Sequence, residues 1–494
     1  MLRGLLTFRG PYRILNFAWF AFFLTFVVWF NYAPFTTVIR EDLHLTVAQA
    51  RTIGLCNLAL TIPARIIIGM VLDRFGPRIT FSALLVYAAI PCLAFASAQN
   101  FNQLVLSRLA MGIVGAGFVV GIRLVAEWFQ PKQIGFAQGI YGGWGNFGSF
   151  AAEAVLPSLA LGAAFLYGGH ENWRFAIALS GIISAIYGVI FYFNVQNTPP
   201  GKEYQRPPRD GGMEVTSQRS FWALTLTSIP LFGALALIAW RLQLIKFLNP
   251  TTMYGIWIFL AVLFLIQAYQ AYQVNREVVS GERHYAPEER YQMSQVFVLE
   301  LAYAVSFGSE LAVVSMLPEF FEHSFNLSHQ IAGPVAATYP LMNLVSRPAG
   351  GLISDKIGSR KWTLTVMIGG VGIGYLMMSR ITGDWLLPIA IAMTMCCAFF
   401  VFGGAGATFG IAPLIKRRVT GQIAGNIGAY GSVGSVLYAT TYSLLPQTVE
   451  GNRLFFEVLG VAGLVVCFLC AFILKEPVVA KSEELAEDTV FVGH

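Results

Sequence analysis

Charge is scarce in this sequence. Asp, Glu, Lys and Arg together make up 12% of its 494 residues, against about 25% in an ordinary soluble domain. That shortage excludes a water-soluble globule for most of the chain. Histidine is thin as well. His44, His170, His284, His323, His329 and His494 all fall in predicted loops or the tail, which excludes an intramembrane histidine relay and a histidine metal site. The six cysteines (Cys56, Cys92, Cys396, Cys397, Cys467 and Cys470) lie in apolar runs, and the Cys467-x-x-Cys470 pair has no second pair or histidine with it. They read as small buried hydrophobes. No lysine-bearing phosphate loop follows a strand, and no nucleophile has a base beside it. The chain therefore reads as a non-enzyme with no cofactor and no metal. A cleavable leader is missing too: MLRGLLTFRGPYR lacks a small-residue cleavage site, and the apolar run after it is too long.

What is abundant is apolar length. Hydrophobic residues make up 56% of the chain and the mean hydropathy is +0.63. A spanning helix needs about 20 apolar residues. Such runs appear at 14–39, 50–72, 79–98, 102–127, 134–165 and 173–196, then at about 221–247 and 252–273, then at 295–321, 330–354, 362–380, 386–412, 421–445 and 453–474. The count predicts an all-α polytopic membrane protein with two pseudo-symmetric six-helix halves and two extra hydrophobic helices between them. The expected divisions are 1–196, a central linker 197–294 carrying the extra pair, 295–474, and a polar tail 475–494. Arg241 and Lys246 shorten the clean span of 221–247, so an interfacial position is open for it. The net charge of +6 gathers in short loops, which sets orientation and gives no nucleic-acid signal. The loops DRFGPR and DKIGSRK, with Lys132 and Lys416 to Arg418, mark one face as cytoplasmic. An even insertion keeps both loops on that face and puts both termini there.

Two spacings recur in the two halves. Arg65, Gly69, Asp73, Gly76 and Arg78 return as Arg347, Gly351, Asp355, Gly358 and Arg360, 282 residues on. Exact spacing across unrelated sequence indicates duplicated architecture. Each arginine sits about two turns inside a membrane helix. Two cations at matching depths suggest a binding site for an anion. The second repeat is a glycine ladder: Gly135, Gly139, Gly142, Gly145 and Gly148 return as Gly421, Gly425, Gly428, Gly431 and Gly434. Glycine costs about 1 kcal/mol against alanine in a helix. Five per helix therefore imply close helix contact, approach of backbone to a substrate, or both.

The Gly-x3-Asp-Arg/Lys-x-Gly-x-Arg signature resembles the cytoplasmic-loop motif of the major facilitator superfamily, and SRLAMGIVGAG (107–117) resembles its fourth-helix motif. The ladders AQGIYGGWGNFGS and TGQIAGNIGAYGSVG resemble the paired signatures of the nitrate/nitrite porter family. GIRLVAEWF (121–129) and FGSELAVVSMLPEFF (307–321) look like cyanobacterial-type nitrate/nitrite permeases. The resemblance covers both halves and departs from a twelve-helix pattern only at the two extra runs. It implies that Arg65 and Arg347 hold the substrate with Phe118, Tyr303, Phe307, Gly142, Asn146, Gly428 and Gly431. Arginine's planar fork suits a flat, singly charged oxyanion. The faces of Phe118 and Phe307 are expected to sandwich it. Asp73 and Asp355 are expected as gate elements with Arg78 and Arg360, pairing with loop arginines or helix termini. Arg123 and Glu127, four apart, read as an intrahelical ion pair. Glu310 and Glu153 are the candidate proton carriers.

The implied function is nitrate and nitrite uptake across the cytoplasmic membrane by alternating access, with proton symport. The alternatives are a nitrate/nitrite exchanger and a nitrate sensor that does not transport. The polar stretches are too short to hold a signalling domain for the sensor. Another anion porter would be expected to add lysine or histidine to the cavity. The expected partners are nitrate, nitrite, protons and the lipid bilayer, with no nucleic acid, and the chain is expected to act as a monomer.

Overall fold

In the computed structural model, residues 2–207, 211–286, 289–446 and 448–477 are described. Most of the expected tail, from 478 on, lies outside them. The chain is helical throughout. The first half comprises α1 (Gly10–Phe30), α2 (Val47–Phe75), α3 (Pro77–Ala96), α4 (Phe101–Gly112 and Gly117–Trp128), α5 (Ile134–Asn146 and Gly148–Gly162) and α6 (Trp173–Asn194). Between the halves stand α7 (Gln218–Leu244) and α8 (Pro250–Val279). The second half comprises α9 (Met293–Phe325), α10 (His329–Leu341 and Asn343–Ile357), α11 (Arg360–Met378), α12 (Leu387–Ile411), α13 (Thr420–Leu444) and α14 (Val449–Ile473). His323 stands exposed in the last turn of α9 and not in a loop, because that helix runs four residues past the expected end.

Eleven of these fourteen, among the described residues, are long and apolar enough to cross a membrane. The other three are α5, α10 and α13. These are the helices that carry the ladders and Arg347. Glycine and polar residues lower their hydropathy, and α5 and α10 are interrupted. The interruptions have local causes. Pro340 precedes the α10 break, and a 3-10 turn, Ile113–Ala116, with Gly112 before it and Gly117 after it, splits α4. Irregular backbone at membrane depth is tolerated where it lines a protein interior.

The loops repeat as the sequence does. Gly76 (φ +87°) ends α2 and Gly358 (φ +72°) ends α10, conformations that a side chain resists. That is why both copies of the motif carry glycine there. The end of the bundle bearing these two turns is termed the motif end. There the ladders meet the opposite half. A Cβ on Gly139 would stand 2.6 Å from the Pro348 Cα, and one on Gly425 3.4 Å from the Ile66 Cα. The α5 ladder thus lies against α10, and the α13 ladder against α2.

The linker is fastened at the same end. The Tyr204 hydroxyl donates to the Leu72 carbonyl at 2.8 Å. Asn275 on α8 accepts from the Val215 N–H at 2.8 Å and donates to the Met213 carbonyl at 2.9 Å. Glu214 takes Arg418, at the base of α13, and the Tyr285 hydroxyl. Burial first, then the bond to Glu214, push the Tyr285 hydroxyl up to about 12, so it stays a donor at neutral pH.

Gly139→Ala should lower the thermal midpoint in detergent, since backbone stands where the methyl would go and overpacking costs about 1–3 kcal/mol. Gly54→Ala, with open space at its Cβ on the same fold, should leave the midpoint equal or higher. Equal tolerance at both positions would refute the close-approach account of the ladders.

Candidate functional site

Arg65 on α2 and Arg347 on α10 are 0% and 2% exposed. Both guanidiniums lie over one ring, Phe307 on α9, at 5.2 Å and 5.9 Å from its centroid. Arg65 donates from Nε to the Gly115 carbonyl at 3.3 Å and from Nη1 to the Gly428 carbonyl. The first acceptor is exposed by the break in α4, and the second belongs to the α13 ladder. Arg347 donates from Nη2 to Glu310 Oε2 at 3.1 Å. Arg65 Nη2 and Arg347 Nε are buried without a partner among the described residues. Unspent donors on buried cations are costly and are what an entering anion would satisfy.

Glu310 faces donors on every side. Beside Arg347, its Oε1 accepts from Asn146 Nδ2 at 2.8 Å and from Asn343 Nδ2 at 3.0 Å. Asn146 ends the first segment of α5 and Asn343 begins the second segment of α10. Both amides are therefore delivered by helix breaks. Two guanidiniums and one carboxylate leave the site one unit positive. A monovalent anion would bring it to neutrality, whereas a divalent one would leave an uncompensated charge at low dielectric. Glu153 is not part of this assembly: it stands exposed on the second segment of α5.

The aromatic arrangement differs from the expected sandwich. Phe118 stacks on Tyr303 at 5.9 Å and 2°, and Tyr303 stacks on Phe307 at 5.1 Å and 3°. The ring facing both Phe118 and Phe307 is Tyr303. Phe409 of α12 abuts the stack edge-on, 4.7 Å from Phe118 and 4.9 Å from Tyr303. The ladder glycines make room for these groups. A Cβ on Gly142 would approach Arg347 Nη1 to 3.3 Å, one on Gly428 would approach Arg65 Cδ to 3.2 Å, and one on Gly431 would stand 2.6 Å from the Tyr303 ring.

Two turns away, at the motif end, the acidic residues cross between the halves. Asp73 accepts from the Gly421 and Gln422 N–H groups at 2.8 and 2.9 Å. Asp355 accepts from those of Gly135 and Phe136 at 3.1 and 2.7 Å. Each carboxylate thus caps the free N–H groups at the start of the opposite half's ladder helix, where the helix dipole favours negative charge. Arg360 pairs with Asp355 at 2.8 Å. Arg78 does not pair with Asp73. It turns to α6, donating to the Tyr192 carbonyl at 2.7 Å and lying over that ring at 4.2 Å. Arg123 of α4 stands nearest Asp73 instead, at 3.9 Å, and pairs with Glu127 at 2.8 Å.

The model of the Major Facilitator Superfamily matches residues 18–280 and 299–492. The nitrate/nitrite transporter NrtP of Nostoc punctiforme is 59% identical, over 97% of this chain and 95% of its own length. NrtP of a Picosynechococcus strain is 54% identical over the same shares. The chain belongs to the major facilitator superfamily. High-affinity nitrate transporter 2.3 of Oryza sativa subsp. japonica is 27% identical, over 88% of this chain and 72% of its own length. Among solved structures, a double-tryptophan mutant of XylE overlays with a TM-score of 0.65 at 15% identity, covering 97% of this chain and 98% of that one. The human organic anion transporter MFSD10 overlays at 0.62 and 12%, covering 94% and 100%. At these identities the two structures share the fold alone.

The structure also brings to the two arginines and the ring stack groups that the sequence did not announce: the Gly115 carbonyl, Asn343, Phe409, and Tyr141 stacked behind Phe118 at 6.0 Å. Asn343 had a signal, standing four residues before Arg347 on the same helix face. Its counterpart before Arg65 is Thr61, whose hydroxyl donates to the Gly112 carbonyl at 2.6 Å. Arg65→Lys removes the fork while keeping the charge. Nitrate binding to the purified protein should weaken by roughly 10- to 150-fold, the worth of one or two charged hydrogen bonds. Wild-type affinity in this variant would remove Arg65 from the site.

Proposed function

We propose that this chain imports nitrate and nitrite across the cytoplasmic membrane as a monomeric proton symporter, with Arg65 and Arg347 as substrate ligands. The 59%- and 54%-identical relatives carry the name nitrate/nitrite transporter, which supports the substrate pair. The single observation that carries the mechanism is the pair of buried guanidiniums, one from each half, over one phenylalanine and with donors unspent. Residues 1–196 and 295–474 act as the rocking halves, and 197–294 as the insert between them. Phe118, Tyr303 and Phe307 part around the flat ion, with Gly142, Gly428 and Gly431 leaving room at its edges. The basic loops put the motif end in the cytoplasm, and both termini with it. Asp73, Asp355 and Arg360 form the inner gate, and Arg78 braces its first turn against α6.

Coupling runs through Glu310. The carboxylate holds Arg347 Nη2, so it competes with the anion for the same donor. A proton arriving on Glu310 cancels that charge and frees the guanidinium. Proton and anion thus bind cooperatively, and uptake rises as the outer pH falls. A second reading has one observation in its favour. Glu310 is already fully met by three donors, as a permanent structural anion would be, and the chain would then exchange nitrate for nitrite.

Uptake into proteoliposomes separates the two. With an inward proton gradient and no internal nitrite, the symporter accumulates nitrate and Glu310→Gln does not. Uptake that ignores the gradient and requires internal nitrite would overturn proton coupling. No flux of either ion under any condition would overturn transport itself.

A further inference from the structure

Asn146 and Asn343 share an unusual imbalance. Each donates its Nδ2 to the same oxygen, Glu310 Oε1, and each leaves its own Oδ1 buried with no donor among the described residues. Asn146 and Asn343 are each 3% exposed. Two idle acceptors beside one carboxyl are expensive unless some state uses them. A carboxamide offers a donor on one side and an acceptor on the other, and half a turn about Cβ–Cγ exchanges them. Two donors suit a carboxylate. One donor and one acceptor suit a carboxylic acid.

We propose that Asn146 and Asn343 are proton-state adaptors of Glu310. This rests on the coupling role of Glu310 given above. A proton from the outer water bonds to Oε1. One amide turns, and its Oδ1 accepts the new O–H, while the other amide keeps donating. The Arg347 Nη2 bond to Oε2 weakens with the loss of charge, and that donor passes to the anion. No other bond forms or breaks, and once the halves have rocked the steps run backwards, with the proton leaving Oε1 to the cytoplasmic water.

Arg347 and Arg65 are cations. Tyr303 on Glu310's own helix and Tyr339 on α10 are the hydroxyls within electrostatic reach. Tyr339 is occupied by Tyr375 of α11 at 2.9 Å, which donates in turn to Ser309 at 2.8 Å. The two amides divide the task by their position. Asn343 and Glu310 belong to the same half and stay together throughout rocking. Asn146 belongs to the other half, so its contact lasts only while the halves meet at this level. Asn343 is therefore the permanent adaptor, and Asn146 reports whether the site is closed.

The test uses the full chain in proteoliposomes and two replacements. Asn343→Leu keeps the volume and removes both polar functions. Asn343→Thr restores a group that can donate or accept. The readout is the ratio of proton-driven nitrate accumulation to nitrate counterflow, which moves no net proton, followed across outer pH. Asn343→Leu should lower that ratio about tenfold, the worth of one unmet buried hydrogen bond, and flatten the pH profile. Asn343→Thr should restore both to within about twofold. A wild-type ratio and pH profile in Asn343→Leu would overturn the adaptor role. So would an equal fall in accumulation and counterflow that Asn343→Thr does not rescue, the mark of a merely structural residue. If Glu310→Gln still accumulates nitrate on a proton gradient, it is the coupling role of Glu310 that fails.

Discussion

Two guanidiniums buried over one ring, with one carboxylate on the second of them, set the terms for the rest of the structure. A lone buried cation is expensive, and two near one another more so. Glu310 offsets one of them, through Arg347 at 3.1 Å. Among the described residues, the oxygens that Arg65 meets are carbonyls, those of Gly115 and Gly428. Those carbonyls face it because α4 loosens into a 3-10 turn and because the α13 ladder has no side chain in the way. The two amides that hold Glu310 come from breaks in α5 and α10. Three departures from regular helix therefore converge on the same charge problem, and what remains unsolved is one positive charge.

The arginine contacts and the aspartate caps are built on the same pair of helices twice over. Arg65 and Asp73 share α2, and their partners Gly428 and Gly421 share α13. In the other pair, Arg347 and Asp355 share α10, facing Gly142 and Gly135 on α5. Relative movement of α2 and α13 disturbs an arginine contact at the site and an aspartate cap at the motif end together. At Gly139 and Gly425 the stripes put backbone against backbone, while Gly142, Gly428 and Gly431 face the side chains of the arginines and Tyr303. The gates are unequal in detail. Asp355 has Arg360 at 2.8 Å, while the arginine nearest Asp73 is Arg123, tied also to Glu127.

Much of this was legible in the sequence because it repeats. Exact recurrence of Arg, Gly, Asp, Gly and Arg marked the helices, their depth and their ends, and the positive φ at Gly76 and Gly358 supplies the physical reason. Fourteen helices were readable from apolar runs, with α5, α10 and α13 the weakest by hydropathy because they carry the glycine and polar groups. What sequence missed were partnerships between residues far apart. The spacing that sets Asn343 beside Arg347 does not say that it reaches Glu310, and nothing local to Phe409 says that it closes an aromatic stack. Arg78 resembles Arg360 in sequence, yet Arg78 meets Tyr192 on α6, a residue with no counterpart in the motif. The same holds for the aromatic rings: the ring stacked against both Phe118 and Phe307 belongs to Tyr303, one turn from Phe307 on the same helix.

The central claim is that the site carries one unit of uncompensated positive charge and takes one monovalent oxyanion. Equilibrium binding of labelled nitrate to the purified protein, competed with nitrite and with sulfate, measures this directly. The account predicts one nitrate per chain, displaced by nitrite and indifferent to sulfate at the same concentration. Two nitrates per chain, or displacement by sulfate as readily as by nitrite, would contradict it.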